Sequence, residues 1–348
     1  MARRLGMFFA GVALALALLE LVLQLLPVST ATRSGRTLDP LLVTYPPHHQ
    51  WQSATGWDLR NAQRLQSNNY GFSATRDFHA GTDAVALIGD SMIEASMLAS
   101  RDRPEAQLQR ALGDRPVYAM SGPGSSILDY AERIRWASQT LGVRDFVVLL
   151  ERGDLRQAIC GSGNNHGPCL DPLTLKPSQV QVQQASVVKR VLRHSALAQY
   201  LSGQIMLSPT RFWQQAIQQA HPEGRPQPLR GSSGMQSVGP EEVQAAEEFF
   251  KRVAPFVPGQ LILLLDGDRV QVYKGAAQAS PRAEMLGKLA QLHGAQLLDL
   301  EPSFRSSYEA LGLKFEVGPY DAHYNRLGVE VAMGAAAEAL KQKAQTSP

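Results

Sequence analysis

From residue 84 onward, short apolar runs alternate with amphipathic stretches along the chain. Five apolar runs have the length of strands, and they occupy residues 84–89, 116–120, 145–151, 260–266 and 295–301. Stretches with helical character occupy residues 102–113, 127–142, 240–256, 281–294 and 325–344. Strands of a parallel sheet are buried on both faces and read as continuous apolar runs. This alternation therefore predicts an α/β domain with an open, doubly wound parallel sheet covered by helices on both faces.

The strongest apolar run lies near the N-terminus, at residues 5–27, and only Glu20 and Gln24 interrupt it. A helix of this length reaches roughly 35 Å, enough to cross a bilayer core. Arg3 and Arg4 precede the run, so the positive-inside rule places the N-terminus in the cytoplasm and the domain outside. An uncleaved single-pass anchor in the inner membrane is favoured over a signal peptide cleaved near residues 28–31, because the run is long for a signal sequence. Both interpretations export the domain to the periplasm.

Several segments interrupt the strand–helix pattern. Residues 28–79 are rich in proline and lack periodicity, which predicts a juxtamembrane tether and lead-in before a domain at 80–345. An insertion follows the third strand at 152–180, and residues 182–220 are helical with gaps. The segment 221–240 is rich in proline and glycine and is predicted to be a loop.

Composition narrows the classes of partner. The chain has 348 residues, of which 44% are hydrophobic, enough for one large core. The net charge is only +3 and the basic residues are scattered, which argues against nucleic-acid binding because phosphate recognition needs a concentrated basic face. We expect contact with the membrane through residues 5–27.

The two cysteines, Cys160 and Cys169, are expected to form a disulfide, because an exported domain meets an oxidising compartment. Two free buried thiols are the alternative. His166 lies between them, but three ligands do not complete a metal site, and the doublet His48–His49 has no ligand-spaced partner. Walker and dinucleotide-binding glycine patterns are absent from the sequence, so neither a metal nor a cofactor is expected.

Polar turns follow the predicted strands, where parallel sheets bind their ligands. Gly-Asp-Ser (89–91) follows the first strand, Ser-Gly-Pro-Gly (121–124) the second and Glu-Arg-Gly-Asp (151–154) the third. Tyr-Asp-Ala-His-Tyr-Asn (320–325) precedes the last helix. A hydrolytic serine needs a base, a group that orients the base, and donors for an oxyanion. Ser91 fits the hydrolytic serine, His323 the base and Asp321 the group that orients it. The backbone N–H groups of Ser91 and Gly124 fit the oxyanion donors. Alternatively, these residues are ordinary helix caps and turns, with Asp321 or Asn325 capping the last helix.

The motifs LIGDSMIEA, VYAMSGPGSS and DAHYNRLG resemble the three corresponding blocks of the SGNH or GDSL-like hydrolase superfamily. NNYGF at 68–72 resembles the lead-in of membrane-anchored members. The resemblance implies a three-layer fold of flavodoxin-like topology over residues 80–345. It also implies Ser91 as nucleophile, His323 as base, Asp321 as its partner and Gly124 as an oxyanion donor.

Two positions depart from the family pattern. The family's third block supplies an asparagine side chain to the oxyanion hole, and Gly153 stands at that position. Loss of one such donor typically costs about 2.7–4 kcal/mol in the transition state. The backbone N–H of Gly153, or a side chain from Arg152, Asn164 or Asn165, is expected to replace it; otherwise activity is weak. The last block reads Asp-x-His rather than Asp-x-x-His, a form that resembles exopolysaccharide-modifying acetyltransferases and esterases.

The sequence therefore predicts an exported, membrane-anchored serine esterase or O-acetyl transferase that acts on an acyl ester, with polysaccharide as one class of substrate. The alternative is a catalytically weak or inactive SGNH-like module that binds a glycan or a partner protein. Gly153 motivates this alternative, and Trp51, Trp57 and Trp136 offer faces on which a sugar can stack.

Overall fold

The computed structural model describes residues 2–30, 34–162, 167–179, 187–205, 238–276, 280–318 and 321–346. In chain order its strands are β1 (Gly35–Asp39), β2 (Leu42–Thr44), β3 (Gln50–Thr55), β4 (Arg60–Gln66), β5 (Val85–Gly89), β6 (Val117–Ser121), β7 (Asp145–Leu150), β8 (Pro168–Leu170), β9 (Pro177–Gln179), β10 (Leu261–Leu265) and β11 (Gln296–Asp299). Its α-helices are α1 (Ala2–Leu25), α2 (Ser91–Glu94), α3 (Pro104–Leu112), α4 (Ile127–Trp136), α5 (Asp154–Gln157), α6 (Val187–Leu192), α7 (Ala196–Gln199), α8 (Pro240–Val253), α9 (Arg269–Tyr273), α10 (Pro281–Leu292), α11 (Glu301–Leu311) and α12 (Arg326–Thr346). The predicted loop at 221–240 lies almost entirely outside the described residues.

The chain divides into two compact units, and the larger one contains residues 33–49, 66–183 and 235–348. At its centre is a parallel sheet of order β11-β10-β7-β5-β6. In order of appearance these strands are the fifth, fourth, third, first and second, which is the flavodoxin-like order and confirms the predicted fold class. Strands β5, β6 and β10 are buried along their whole length, as their continuous apolar runs predicted.

Helices cover the sheet in two layers. Helix α12 packs against α3 and α11, and α8 packs against α4 and α10. The last turns of α4 continue as a wider π-helical segment, Ala137–Leu141, which brings this element to the predicted length. The three layers bury one contiguous apolar core and leave the carboxyl ends of the strands for the polar turns.

The predicted tether contributes more to this core than its sequence pattern indicated. Strands β1 and β2 form an antiparallel pair in the larger unit, and Leu42, Phe72 and Phe78 are almost completely buried. These side chains project from turns and very short strands, so they show no period of 2 or 3.6 that the sequence could reveal. The domain boundary at residue 80 stays a prediction, whereas the compact unit begins nearer residue 33.

The NNYGF motif is a turn built around Asn68. Its Oδ1 accepts hydrogen bonds from the backbone N–H groups of Tyr70 at 3.0 Å and Phe72 at 2.9 Å. Gly71 has a φ of +82° and lies so close to Tyr45 that a Cβ at this position would run into the Tyr45 carbonyl. The turn directs Phe72 into the core, where its ring lies against the ring of Trp136.

The smaller unit contains residues 1–32, 50–65 and 184–234. Helix α1 is long and apolar enough to cross a membrane over Arg3–Leu25, although a signal sequence would pass the same test. Glu20 on this helix accepts hydrogen bonds from the Ser195 hydroxyl and from the backbone N–H groups of Ala196 and Leu197, each at 2.8 Å. The choice between a retained anchor and a cleaved signal stays a prediction.

The structure joins Cys160 and Cys169 by a disulfide, as predicted, with Cα atoms 5.1 Å apart. Cys169 lies in β8, which pairs with β9 in the insertion after the third sheet strand. His166, inside the disulfide loop, lies outside the described residues.

Substitution of Gly71 by alanine tests the close approach in the NNYGF turn, and Gly81 provides a matched control. Gly81 also has a positive φ, of +75°, but a Cβ there would meet nothing within 4 Å. We expect Gly81→Ala to lower the free energy of unfolding by about 1 kcal/mol through backbone strain. Gly71→Ala should lose about 1–3 kcal/mol more, because its Cβ collides with a backbone carbonyl. Urea unfolding of the full chain in detergent measures both, and equal losses would contradict this role of Gly71.

Candidate active site

Ser91 stands at the first position of α2, immediately beyond the buried strand β5. Asp90 caps this short helix by accepting a hydrogen bond from the Met92 backbone N–H at 2.9 Å. The turn is tight, since a Cβ at Gly89 would lie 2.5 Å from Cγ1 of Ile93 and 3.3 Å from the carbonyl oxygen of Leu149. Glycine at 89 therefore lets the chain turn directly from the strand into the helix, which leaves the Ser91 side chain partly exposed at the sheet edge.

His323 connects Ser91 to Asp321. Its Nε2 lies 2.7 Å from Ser91 Oγ, and its Nδ1 lies 2.5 Å from Asp321 Oδ1. The backbone N–H of His323 donates to the same Asp321 oxygen at 2.9 Å, so the loop is bent enough for residues two apart to face each other. With the Nδ1 proton directed at the carboxylate, Nε2 is the acceptor for the Ser91 hydroxyl.

The loop that carries these two residues is fixed by contacts on both sides. Arg269 donates to the carbonyl oxygen of Ala322 at 2.9 Å, and the Tyr324 hydroxyl donates to buried Asp266 at 2.5 Å. Asn325 rather than Asp321 caps the last helix, because its Oδ1 accepts from the Gly328 N–H at 3.0 Å. Asp321 is thus available to His323.

The electrostatics of the pair favour a basic imidazole. Burial alone would lower the pKa of His323, but the hydrogen bond and charge of Asp321, with the charges of Glu151 and Asp90, raise it above the ordinary 6.5. Burial acts to raise the pKa of Asp321, but hydrogen bonds from the ring and backbone of His323 outweigh it and lower the pKa below 3.8. Asp321 therefore stays ionised while His323 gains and loses a proton.

The predicted oxyanion donors lie on the turns after the neighbouring strands. Gly124 follows β6 and has a φ of +72°, a conformation that favours glycine. Gly153 follows β7 and is the N-cap residue of α5. With the N–H of Ser91 they form the donor set that the sequence predicts, and this assignment stays a prediction.

Of the three side chains that the sequence offers as replacements for the family's asparagine, the structure describes only Arg152. Arg152 forms ion pairs with Asp268, at 2.5 Å, and with Glu301, at 3.6 Å, so its guanidinium is already engaged. Asn164 and Asn165 lie outside the described residues. A Cβ at Gly153 would lie 3.3 Å from Nε2 of Gln157, so the end of the Gln157 side chain lies beside this position.

Sequence reasoning missed a buried polar cluster beneath the site. Arg133 on α4 is 3% exposed, and it donates to the carbonyl oxygen of Gly89 at 2.8 Å and to the Ser125 hydroxyl. Tyr130, one turn earlier, donates to Asp154 Oδ2 at 3.0 Å. The helix thereby ties together the turns after the first three sheet strands. The only signal of this buried cluster in the sequence is the three-residue spacing of Tyr130 and Arg133, which places both side chains on one face of an amphipathic helix.

Three carboxyl groups meet beside the nucleophile. Oxygen atoms of Asp90, Glu151 and Asp154 all lie within 4.8 Å of one another. Oxygen ligands of this kind suit a hard divalent cation. However, Asp154 is fully buried, and its Oδ2 already accepts from the Glu151 N–H at 2.8 Å. The expectation of no metal at this site stays a prediction.

No protein-family model matches the chain, and no curated protein matches it. Several solved structures are similar to it in fold. A lipolytic protein of the G-D-S-L family from Veillonella parvula is 10% identical, with a TM-score of 0.38 over 75% of this chain and 99% of its own. An acetylxylan esterase from Geobacillus stearothermophilus is 9% identical, with a TM-score of 0.38 over 75% and 94%. A lipase/acylhydrolase from Enterococcus faecalis is 11% identical, with a TM-score of 0.37 over 75% and 97%. At these sequence identities and TM-scores, the similarity carries no argument about the activity of this chain.

Proposed function

We propose that this protein is a serine esterase or O-acyl transferase with Ser91 as its nucleophile. The observation that carries the proposal is the position of His323, with its two ring nitrogens 2.7 Å from Ser91 Oγ and 2.5 Å from Asp321 Oδ1. A serine, a base and an orienting carboxylate within hydrogen-bond reach are the parts of a nucleophilic acyl-transfer site.

In the proposed reaction, Ser91 Oγ attacks the ester carbonyl carbon while His323 Nε2 accepts the hydroxyl proton. The negative charge that develops on the carbonyl oxygen is bound by the N–H groups of Ser91, Gly124 and Gly153. His323 then gives its proton to the leaving alcohol as the ester C–O bond breaks. An acceptor hydroxyl next loses its proton to His323 and attacks the acyl carbonyl carbon. The bond between this carbon and Ser91 Oγ then breaks, and His323 returns the proton to Ser91 Oγ. Water as acceptor gives hydrolysis, and a sugar hydroxyl gives transfer.

The substrate proposal is an O-acylated cell-surface or secreted polysaccharide. The apolar helix α1 supports an exported, membrane-associated protein, and the Asp-x-His form of the last motif resembles that of enzymes that modify exopolysaccharides. An acyl ester on an extracytoplasmic sugar is a substrate that such a domain can reach.

The alternative of an inactive glycan-binding module has less support. Trp51 and Trp136 are buried, which removes them as stacking faces, whereas Trp57 is 60% exposed. A fluorophosphonate probe separates the two functions, because it labels only an activated serine. We expect labelling of the wild-type protein at Ser91, and a chain that binds polysaccharide without labelling would favour the binding module.

Substitution of Ser91 tests the nucleophile directly. We expect Ser91→Ala to lower kcat for a chromogenic acetyl ester by about 10⁴–10⁶-fold, because no covalent intermediate can form. Ser100→Ala is the control, since Ser100 is an exposed serine nearby in the sequence. Equal turnover by wild type and Ser91→Ala would refute the assignment.

The pH dependence tests the base. His323 must be neutral to accept a proton, and its pKa is raised above 6.5. We therefore expect kcat/KM to rise with pH through a midpoint above 6.5. Asp321→Asn removes the charge that raises this pKa, so the midpoint should fall and kcat should drop on the order of 10⁴-fold. If the midpoint of the acidic limb is the same in Asp321→Asn as in wild type, a group other than His323 titrates there.

A further inference from the structure

Glu151 lies at the same sheet edge as the nucleophile. It directly follows β7, which pairs with β5 in a register that sets Val148 beside Ile88. Ser91 lies three residues beyond Ile88, and Glu151 lies three residues beyond Val148. Both residues therefore extend past the carboxyl ends of adjacent parallel strands at the same level. Glu151 also lies close enough to His323 that its carboxylate, when ionised, acts to raise the pKa of His323.

Simultaneous ionisation of three carboxyl groups this close is unfavourable. Oxygen atoms of Asp90, Glu151 and Asp154 lie within 4.8 Å of one another in a largely buried place. Like charges at this separation favour retention of a proton, and burial adds to the effect. Arg133 is the buried cation beside them, and its single charge offsets one carboxylate, not three.

Within the trio, Glu151 is the member whose carboxyl is best placed to donate a hydrogen bond from its acid O–H to a ligand. Asp90 accepts the Met92 N–H, and Asp154 accepts the Tyr130 hydroxyl and the Glu151 N–H. Among the residues that the structure describes, no donor is directed at the Glu151 carboxyl. Glu151 is also half-buried, whereas Asp154 is completely enclosed.

We propose that Glu151 acts as a neutral carboxylic acid and donates a hydrogen bond to the carbonyl oxygen of the substrate, in place of the amide side chain that Gly153 lacks. This inference rests on the proposed function. The proton stays on Glu151 throughout, so the residue adds a donor to the oxyanion hole and changes no step of the proton transfer between Ser91 and His323. A buried carboxylic acid that stays neutral is an established kind of oxyanion donor.

The titration of Glu151 sets the pH range of this role. Burial, followed by the charges of Asp90 and Asp266, raises the pKa of Glu151 to about 8, against the opposing charges of His323 and Arg269. Burial and the neighbouring carboxylates raise the pKa of Asp154 as well. The acid form of Glu151 is therefore present below about pH 8 and is lost as the pH rises through that value.

Two variants of Glu151 and one control variant give the test, with the full chain in detergent and a chromogenic acetyl ester as probe. Glu151→Gln keeps a donor that does not titrate, Glu151→Ala removes it, and Glu330→Gln is a control at an exposed glutamate. We expect wild-type kcat/KM to fall above about pH 8. Glu151→Gln should stay within a few-fold of wild type and lose that fall. Glu151→Ala should lose on the order of 10²–10³-fold, mainly in kcat.

The opposite pattern would overturn the proposal. If Glu151→Gln loses as much as Glu151→Ala, the ionised carboxylate is what matters; if Glu151→Ala keeps full activity, Glu151 has no role. Activity that requires added Ca²⁺ and disappears with a chelator would make the trio a cation site instead. Infrared difference spectra between wild type and Glu151→Gln provide a readout without turnover, since wild type at pH 7 should show one protonated-carboxyl band that the variant lacks. Wild type without Ser91-dependent turnover would refute the proposed function, whereas an active wild type with insensitive Glu151 variants refutes this inference alone.

Discussion

The buried guanidinium of Arg133 is the interaction on which the sheet edge depends. A charge removed from water is stable only when its donors are satisfied and opposite charges lie near. Arg133 meets this condition through the Gly89 carbonyl, the Ser125 hydroxyl and the nearby carboxylates of Asp129 and Asp90. A side chain at Gly122 would run into the guanidinium. The glycine turn after the second sheet strand is therefore required by the cation on α4, in addition to any role in binding an oxyanion.

The parallel sheet could be predicted because most of its strands are continuous apolar runs bounded by turn residues, whereas its strand order was implied only by the family resemblance. The observed strand Leu261–Leu265, for example, lies within the predicted 260–266. The lead-in could not be predicted in the same way. Phe72 enters the core because Asn68 folds the chain back on itself, and a side chain that holds a turn leaves no periodic signal.

Some residues of the candidate site could be predicted from the sequence and others could not. Ser91, His323 and Asp321 could be selected because they fall in turns whose place at the sheet edge follows from the strand order. The role proposed for Glu151 could not be predicted from the sequence, because it depends on the distance to two other carboxyls and on burial. Arg133 lies in a helix with charged neighbours on either side, Glu132 and Arg135, and sequence alone does not distinguish a surface arginine from a buried one.

The hydrogen bonds of Glu20 connect the N-terminal helix to the start of α7. The Glu20 carboxylate accepts hydrogen bonds from the Ser195 hydroxyl and from the N–H groups of Ala196 and Leu197. It therefore gives the donors at the start of α7 an acceptor that the apolar side chains of α1 do not offer. A generic apolar helix of the same length would leave those donors without their partner. The first twenty-five residues thus carry folding information for a segment near residue 195, and exchange of this helix for another apolar helix is a change to the fold of the smaller unit.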